Sequence, residues 1–169
     1  SFRGSMTAFD KATGDQAWQI IFTPGDETAG AGVGIWSTPT YDPTSGLVFI
    51  GTGNTYEPPA APLSNSLVAV QAATGEIEWS TQFTYPDVWS VGQVWMTDLT
   101  EGSSLGGVIG TAAVIDDTIY VVSNVGNPDT NTTTDIALLV ALDTATGGVR
   151  WSSEIESVVF APVSASPGL

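Results

Sequence analysis

An all-β fold of β-propeller blades, each of four antiparallel strands, is predicted by three observations. A turn-and-tryptophan phrase recurs along the chain, short apolar strands alternate with turn signals, and the composition is rich in Gly and Pro while remaining apolar. Residues 8–18 read AFDKATGDQAW, residues 69–79 read AVQAATGEIEW and residues 141–151 read ALDTATGGVRW. Each copy opens on Ala, has Thr-Gly in its middle and closes on Trp. The central glycines, Gly14, Gly75 and Gly147, stand 61 and 72 residues apart, a period that signals a repeat architecture. Each phrase reads as a hairpin: a β-rich run such as Leu67-Val68-Ala69-Val70, a tight turn in which Gly supplies positive φ, then a second strand bearing Trp. A large indole at that place suits burial between neighbouring units.

The remaining strands follow in order. Residues 35–41 (IWSTPTY) and 47–51 (LVFIG) flank the turn Asp42-Pro43-Thr44-Ser45-Gly46, and strands at 66–70 and 76–82 complete one blade at 35–83. The pattern returns at 110–115, the turn Asp116-Asp117, 118–123, 137–142 and 149–154, giving a second blade at 108–155. Residues 4–22 supply the closing hairpin of a preceding blade, and 158–169 read as the opening strand of a following one. Two complete blades with partial blades on either side imply an internal piece of a larger ring, because an open array leaves apolar faces uncovered. Two polar stretches interrupt the blades. Residues 84–109 contain Trp89 and Trp95 and read as a functional loop, whereas 124–136 (NVGNPDTNTTTDI) read as a solvated excursion. Asn131-Thr132-Thr133 matches a glycosylation sequon, a pattern short enough to arise by chance.

Composition excludes several functions. The 169 residues carry 18 acidic and three basic side chains, for a net charge of −15, which opposes binding to nucleic acid or an anionic membrane surface. With no Cys and no His, the chain holds no thiol or imidazole zinc site, no Cys nucleophile, no Ser-His-Asp triad and no covalent haem attachment. No run approaches the 18 apolar residues of a membrane-spanning helix.

The phrase resembles the tryptophan-docking motif of the quinoprotein dehydrogenases, eight-bladed propellers that bind pyrroloquinoline quinone (PQQ) and calcium. Trp36-Ser37-Thr38-Pro39-Thr40-Tyr41-Asp42-Pro43, then Gly51-Thr52-Gly53-Asn54, Gln82 and Asp87-Val88-Trp89 follow that family's order, and Arg3-Gly4 fits ahead of the first docking phrase. The resemblance rests on specific motifs over residues 3–90, with 108–155 as a generic blade. It implies a PQQ- and calcium-dependent oxidoreductase acting on alcohol or polyol hydroxyl groups, periplasmic or secreted, with a small-molecule or polymeric alcohol as partner.

Site roles carry over position by position. Trp36 matches the tryptophan on which the quinone stacks, a task for a flat, rigid apolar ring; the alternative is an ordinary core Trp. Asn54, 18 residues on, matches a calcium ligand, and a neutral amide oxygen is a hard donor suited to that ion; the alternative is a Gly-Asn turn at a strand end. Three departures concern catalysis. The general-base aspartate of the alcohol dehydrogenases follows the Asp-x-Trp tryptophan, but that position here is Ser90, whose hydroxyl has no useful basicity near neutral pH. Asp87 is the nearest carboxylate and reads as a loop cap. The family's glutamate ligand would precede Ser1, and the basic residue expected near the quinone oxygens falls around Ser123-Asn124. Because PQQ bears three carboxylates, the scarcity of cations implies that other blades neutralise it. The polyvinyl-alcohol dehydrogenase-like branch suits Ser90. A non-enzymatic propeller of the outer-membrane assembly type, serving as an interaction platform, is the other reading.

Overall fold

The fold is given by a computed structural model that describes residues 2–23, 31–83, 88, 110–127 and 132–166. All of its regular elements are strands, in three antiparallel sheets: β1 (Ser5–Phe9) with β2 (Gln16–Ile21); β3 (Thr40–Asp42), β4 (Leu47–Gly51), β5 (Ser66–Gln71) and β6 (Ile77–Gln82) in sequence order; and β7 (Ala113–Ile115), β8 (Thr118–Asn127), β9 (Thr132–Asp143) and β10 (Val149–Ile155), again in sequence order. These are a hairpin and two four-stranded propeller blades.

The blades stack through both faces of the middle sheet. Alternate residues of a strand point to opposite faces, and β4 divides accordingly. Leu47 and Phe49 join Leu67 and Ala69 against Ile119, Val121, Val140 and Leu142 of the last blade. Val48 and Ile50 join Val68 and Val70 on the other face, where Met6, Trp18 and Ile20 of the first hairpin pack. Every residue of β4 is therefore buried, which explains why LVFIG is a continuous apolar run rather than an alternating one.

Docking joins each blade to the next. The Trp18 indole N–H donates to the Ala72 carbonyl at 3.0 Å, and that of Trp79 donates to the Thr144 carbonyl at 3.0 Å. The rings lie on the turn glycines of the following blade: a Cβ on Gly75 would stand 2.7 Å from the Trp18 ring, and one on Gly147 2.5 Å from the Trp79 ring. Both glycines also have positive φ, 79° and 70°, so backbone and contact demand Gly together. Thr81 adds a hydroxyl bond to the Gly147 carbonyl at 2.7 Å.

A β-bulge aims each tryptophan. Ala8 faces Trp18 while Phe9 faces Gln16, leaving Ala17 extra; Glu78 and Arg150 are extra at the same place in the other two hairpins. Such an insertion bends the strand and turns its side chains. Each Trp thus lies inside its strand, and β2, β6 and β10 run on past it. Turn chemistry differs among the copies. Asp10 accepts the N–H groups of Ala12 and Thr13, and Asp143 those of Ala145 and Thr146. In the middle copy Gln71 stands at that place, and its amide reaches Glu78 instead.

Several strands depart from the sequence expectation. Of 35–41 only Thr40 and Tyr41 lie in a strand, which runs on to Asp42, and of 110–115 only Ala113–Ile115. The 124–136 stretch is largely not an excursion, because β8 and β9 continue through it as paired strands, with Gly126 opposite Thr133 and Asn127 opposite Thr132. Over 158–166 the chain forms no strand and lies beside the start of its own blade, where the Val163 N–H meets the Thr111 carbonyl at 2.9 Å.

One cluster predicts a pH response. Arg150 bonds Asp143 at 2.6 Å and Asp117 at 2.8 Å. Its guanidinium, with the Thr146 hydroxyl, holds the Asp143 carboxyl down to about 2 from 3.8. A carboxyl depressed by folding contributes stability above its unfolded value and loses it as pH falls through the folded one. The thermal midpoint is therefore expected to fall more steeply between about pH 4 and 2 in the unmodified protein than in Arg150→Gln. Equal slopes would mean that the ion pairs do not act on stability.

Candidate functional site

Four chain segments lie side by side at one end of the first two sheets. Arg3 bridges Gly32 in parallel, Gly32 bridges Thr55 antiparallel, and Thr55 bridges Val88 in parallel. Such close approach requires glycine. A Cβ on Gly4 would overlap the Val33 carbonyl oxygen, and one on Gly32 (φ 113°) would lie 2.7 Å from the backbone carbonyl oxygen of Asn54.

Trp36 and the backbone leading into Asn54 come together at this platform. Gly53 donates its N–H to the Gly34 carbonyl at 2.8 Å, and the edge of the Trp36 indole lies over both glycines. A Cβ on Gly34 would be 3.2 Å from Trp36 Nε1, and one on Gly53 3.0 Å. The rest of the ring is open, with Trp36 67% exposed. It is not a core tryptophan. Phe2 lies beside the same notch and stacks on Tyr56, ring centroids 6.0 Å apart.

Asn54 has the opposite environment. It is 6% exposed, and its side-chain nitrogen is buried without a hydrogen bond. Its backbone, by contrast, is held on every side. The Asn54 carbonyl accepts from Val33 at 2.8 Å, the Gly53 carbonyl from Asn65 at 3.0 Å, and the Tyr56 N–H donates to Ala31 at 2.6 Å. Leaving a buried amide unpaired costs about 1–3 kcal/mol. The two ends of an amide are told apart only by their hydrogen bonds, so Asn54 can present its oxygen where its nitrogen now stands.

The other expected groups are placed differently. Arg3 is turned onto Thr23, with Nε 2.6 Å from the hydroxyl and a guanidinium nitrogen 3.1 Å from the carbonyl. Asn124 is buried and occupied: its amide nitrogen donates to the Val159 carbonyl at 3.0 Å, and its oxygen accepts the Val159 N–H at 2.8 Å. It ties down the strand-less 158–160 stretch. Asp87, Trp89, Ser90, Trp95 and Asn131 lie outside the described residues. Val88, between Asp87 and Trp89, is buried against Thr55. Among the described residues no group of three or more His, Cys, Asp or Glu could hold a metal.

Sequence reasoning assigned no task to Gln82, Ser64, Ala61 or Thr52. Thr52 donates to the Leu63 carbonyl at 2.5 Å and accepts the Ser66 N–H at 3.0 Å, and Gln82 reaches the same turn from β6. The polar run Ser64-Asn65-Ser66, fully buried, carries no hydropathy signal that would have revealed it.

The docked four-stranded blades and the platform around Gly34 and Gly53 can be set beside known proteins. The glucose/ethanol/alcohol dehydrogenase β-propeller domain (PQQ) matches residues 1–101, and the chain belongs to that family. A polyvinylalcohol dehydrogenase of a Pseudomonas species is 33% identical over 103 residues, covering 54% of this chain and 16% of that protein. The quinohemoprotein alcohol dehydrogenase ADH-IIG of Pseudomonas putida is 32% identical over 119 residues, covering 52% and 16%. The chain thus spans about one sixth of the length of these curated relatives. The solved structure of ADHIIG from Pseudomonas putida HK5 aligns with a TM-score of 0.54 at 25% identity, over 92% of this chain and 25% of that one. The quinohemoprotein alcohol dehydrogenase of Comamonas testosteroni shares the fold, with a TM-score of 0.57 at 21% identity over 89% and 25%.

Proposed function

We propose that this segment forms part of a PQQ- and calcium-dependent oxidoreductase acting on alcohol or polyol hydroxyl groups, with Trp36 as the floor beneath the quinone and Asn54 as a neutral oxygen ligand to calcium. The observation that carries this reading is the buried, unpaired side-chain nitrogen of Asn54, on a hydrogen-bonded backbone and next in sequence to Gly53, against which the exposed Trp36 rests. A bound quinone would accept the hydride equivalent of the alcohol, and calcium would polarise it as a Lewis acid.

The chain's own residues supply position and surface. Trp36 offers one broad apolar face while Gly34 and Gly53 hold its edge. The bonds around Gly53, Asn54 and Thr55 hold the backbone that carries the amide, so little backbone ordering would remain at binding. Ser90 cannot take the alcohol proton as a carboxylate would. The base is therefore assigned to a carboxylate other than residue 90, with Asp87 the nearest in sequence. The polymeric alcohol named for the Pseudomonas relative is one substrate to try.

Reconstitution of the full polypeptide with PQQ and calcium, assayed by dye reduction with simple, polyol and polymeric alcohols, tests the reading. Quinone-dependent turnover is expected. Its absence, together with no quinone binding, would leave the interaction-platform alternative, which the commitment of Arg3 to Thr23 and of Asn124 to Val159 favours.

Gly53→Ala gives a local check. The added methyl meets Trp36 Nε1 at 3.0 Å and the Gly34 oxygen at 3.2 Å. A contact that tight displaces the indole, while the Gly53 backbone is not in the positive-φ region and carries no added strain. Quinone affinity is expected to fall about tenfold, by the loss of roughly one stacking contact's worth of energy, with little change in thermal midpoint. Unchanged affinity would remove Trp36 from the site.

A further inference from the structure

Gln82 lies on β6, opposite Ser66 of β5, and its side chain reaches back to the turn at 61–65. Its amide nitrogen donates to the Ser64 carbonyl at 2.9 Å and to the Ala61 carbonyl at 3.3 Å, with the Ser64 hydroxyl at 3.4 Å. Neither carbonyl needs it. The Ala61 oxygen already accepts the Ser64 N–H at 3.0 Å and the Ser64 hydroxyl at 2.7 Å, and the Ser64 oxygen accepts the Ser66 hydroxyl at 2.9 Å. A carbonyl has two lone pairs, so a third donor on Ala61 adds geometric constraint beyond satisfaction.

That turn holds both neighbours of Asn54. From one end, the Asn65 N–H fixes the Gly53 carbonyl at 3.0 Å. From the other, the Ala61 N–H fixes the Thr55 hydroxyl at 2.9 Å. The backbone on either side of Asn54 is thus held by hydrogen bonds, while the Asn54 side-chain nitrogen has none.

We infer that Gln82 is a positioning residue for a cation site at Asn54, acting through the Ala61–Asn65 turn. The inference rests on the reading of Asn54 as a calcium ligand. Groups that orient a metal ligand from behind typically govern affinity by about 10–100-fold.

The test uses terbium(III) as a calcium surrogate with the full polypeptide in which these residues occur, reading luminescence sensitised by tryptophan. Asn54→Ala is expected to remove one binding phase, which identifies the site. Gln82→Met, of equal length but without donors, is expected to weaken that same phase about tenfold and to shorten the terbium lifetime as water replaces the misplaced amide. The thermal midpoint of the metal-free protein should move little. If Gln82→Met prevents folding, Gln82→Asn, which keeps the amide on a shorter arm, is expected to show a smaller loss in the same direction. An Asn54-dependent phase with unchanged affinity and lifetime in the Gln82 variants would overturn the positioning role alone. No Asn54-dependent phase at all would overturn the calcium-ligand reading and this inference with it.

Discussion

Trp79→Ala is expected to destabilise the stacked blades by about 3 kcal/mol, at the lower end for aromatic truncation because the ring is only partly buried. The substitution removes the indole from Gly147, ends its hydrogen bond to Thr144, and uncovers Phe49, whose ring centroid lies 5.7 Å away. Gly147→Ala should act on the same contact from the other side, through a methyl 2.5 Å from the ring and a φ of 70°. Gly14→Ala is the control. Its φ of 78° is similar but its Cβ would meet nothing within 4 Å, so only the backbone strain of about 1–2 kcal/mol is expected. Denaturant midpoints of the three variants measure this. A Gly147→Ala loss no greater than that of Gly14→Ala would mean that docking does not stabilise the array.

Asn54→Leu is expected to separate stability from activity. The wild-type side-chain nitrogen is buried and unpaired, so replacing the amide with an apolar side chain of similar volume removes that group's desolvation penalty of about 1–3 kcal/mol. Some of that gain is returned where the branched side chain must find room. The thermal midpoint should hold or rise, and on the proposed reading, in which Asn54 is a calcium ligand, quinone binding and alcohol turnover by the full polypeptide fall at least tenfold. A midpoint that drops with turnover intact would show Asn54 to be an ordinary structural turn residue. The expected pattern is the familiar conflict between a stable fold and a site kept ready for its ligand.

The blade order was legible because it is written in residues with few conformational substitutes. Gly75 and Gly147 need positive φ and sit beneath a ring, so the turn and its partner Trp recur together. The bulge before each Trp was not legible, since Ala17, Glu78 and Arg150 share no chemistry. The extension of the β8–β9 hairpin beyond strands 118–123 and 137–142 was missed for a related reason. Its Asn/Thr-rich sequence looks solvated, but a backbone ladder pairs residues whatever their polarity. At the candidate site, Trp36 and Asn54 were singled out by resemblance to a motif. Their opposite burial, and the turn gripped by Gln82, depend on contacts between residues distant in sequence and have no local signature.

Docking also has a direction. Each hairpin offers an indole forward and a glycine turn backward, so the two sides of a blade match each other and neither matches itself. In the vocabulary of subunit assembly the contact is heterologous: it cannot be satisfied by two-fold pairing, only by a succession of like units. The 45% exposed Trp151 is the forward side of the last blade, and the uncovered Gly14 is the backward side of the first hairpin. Surfaces of this kind are all covered at once only when the succession turns back to meet its own beginning.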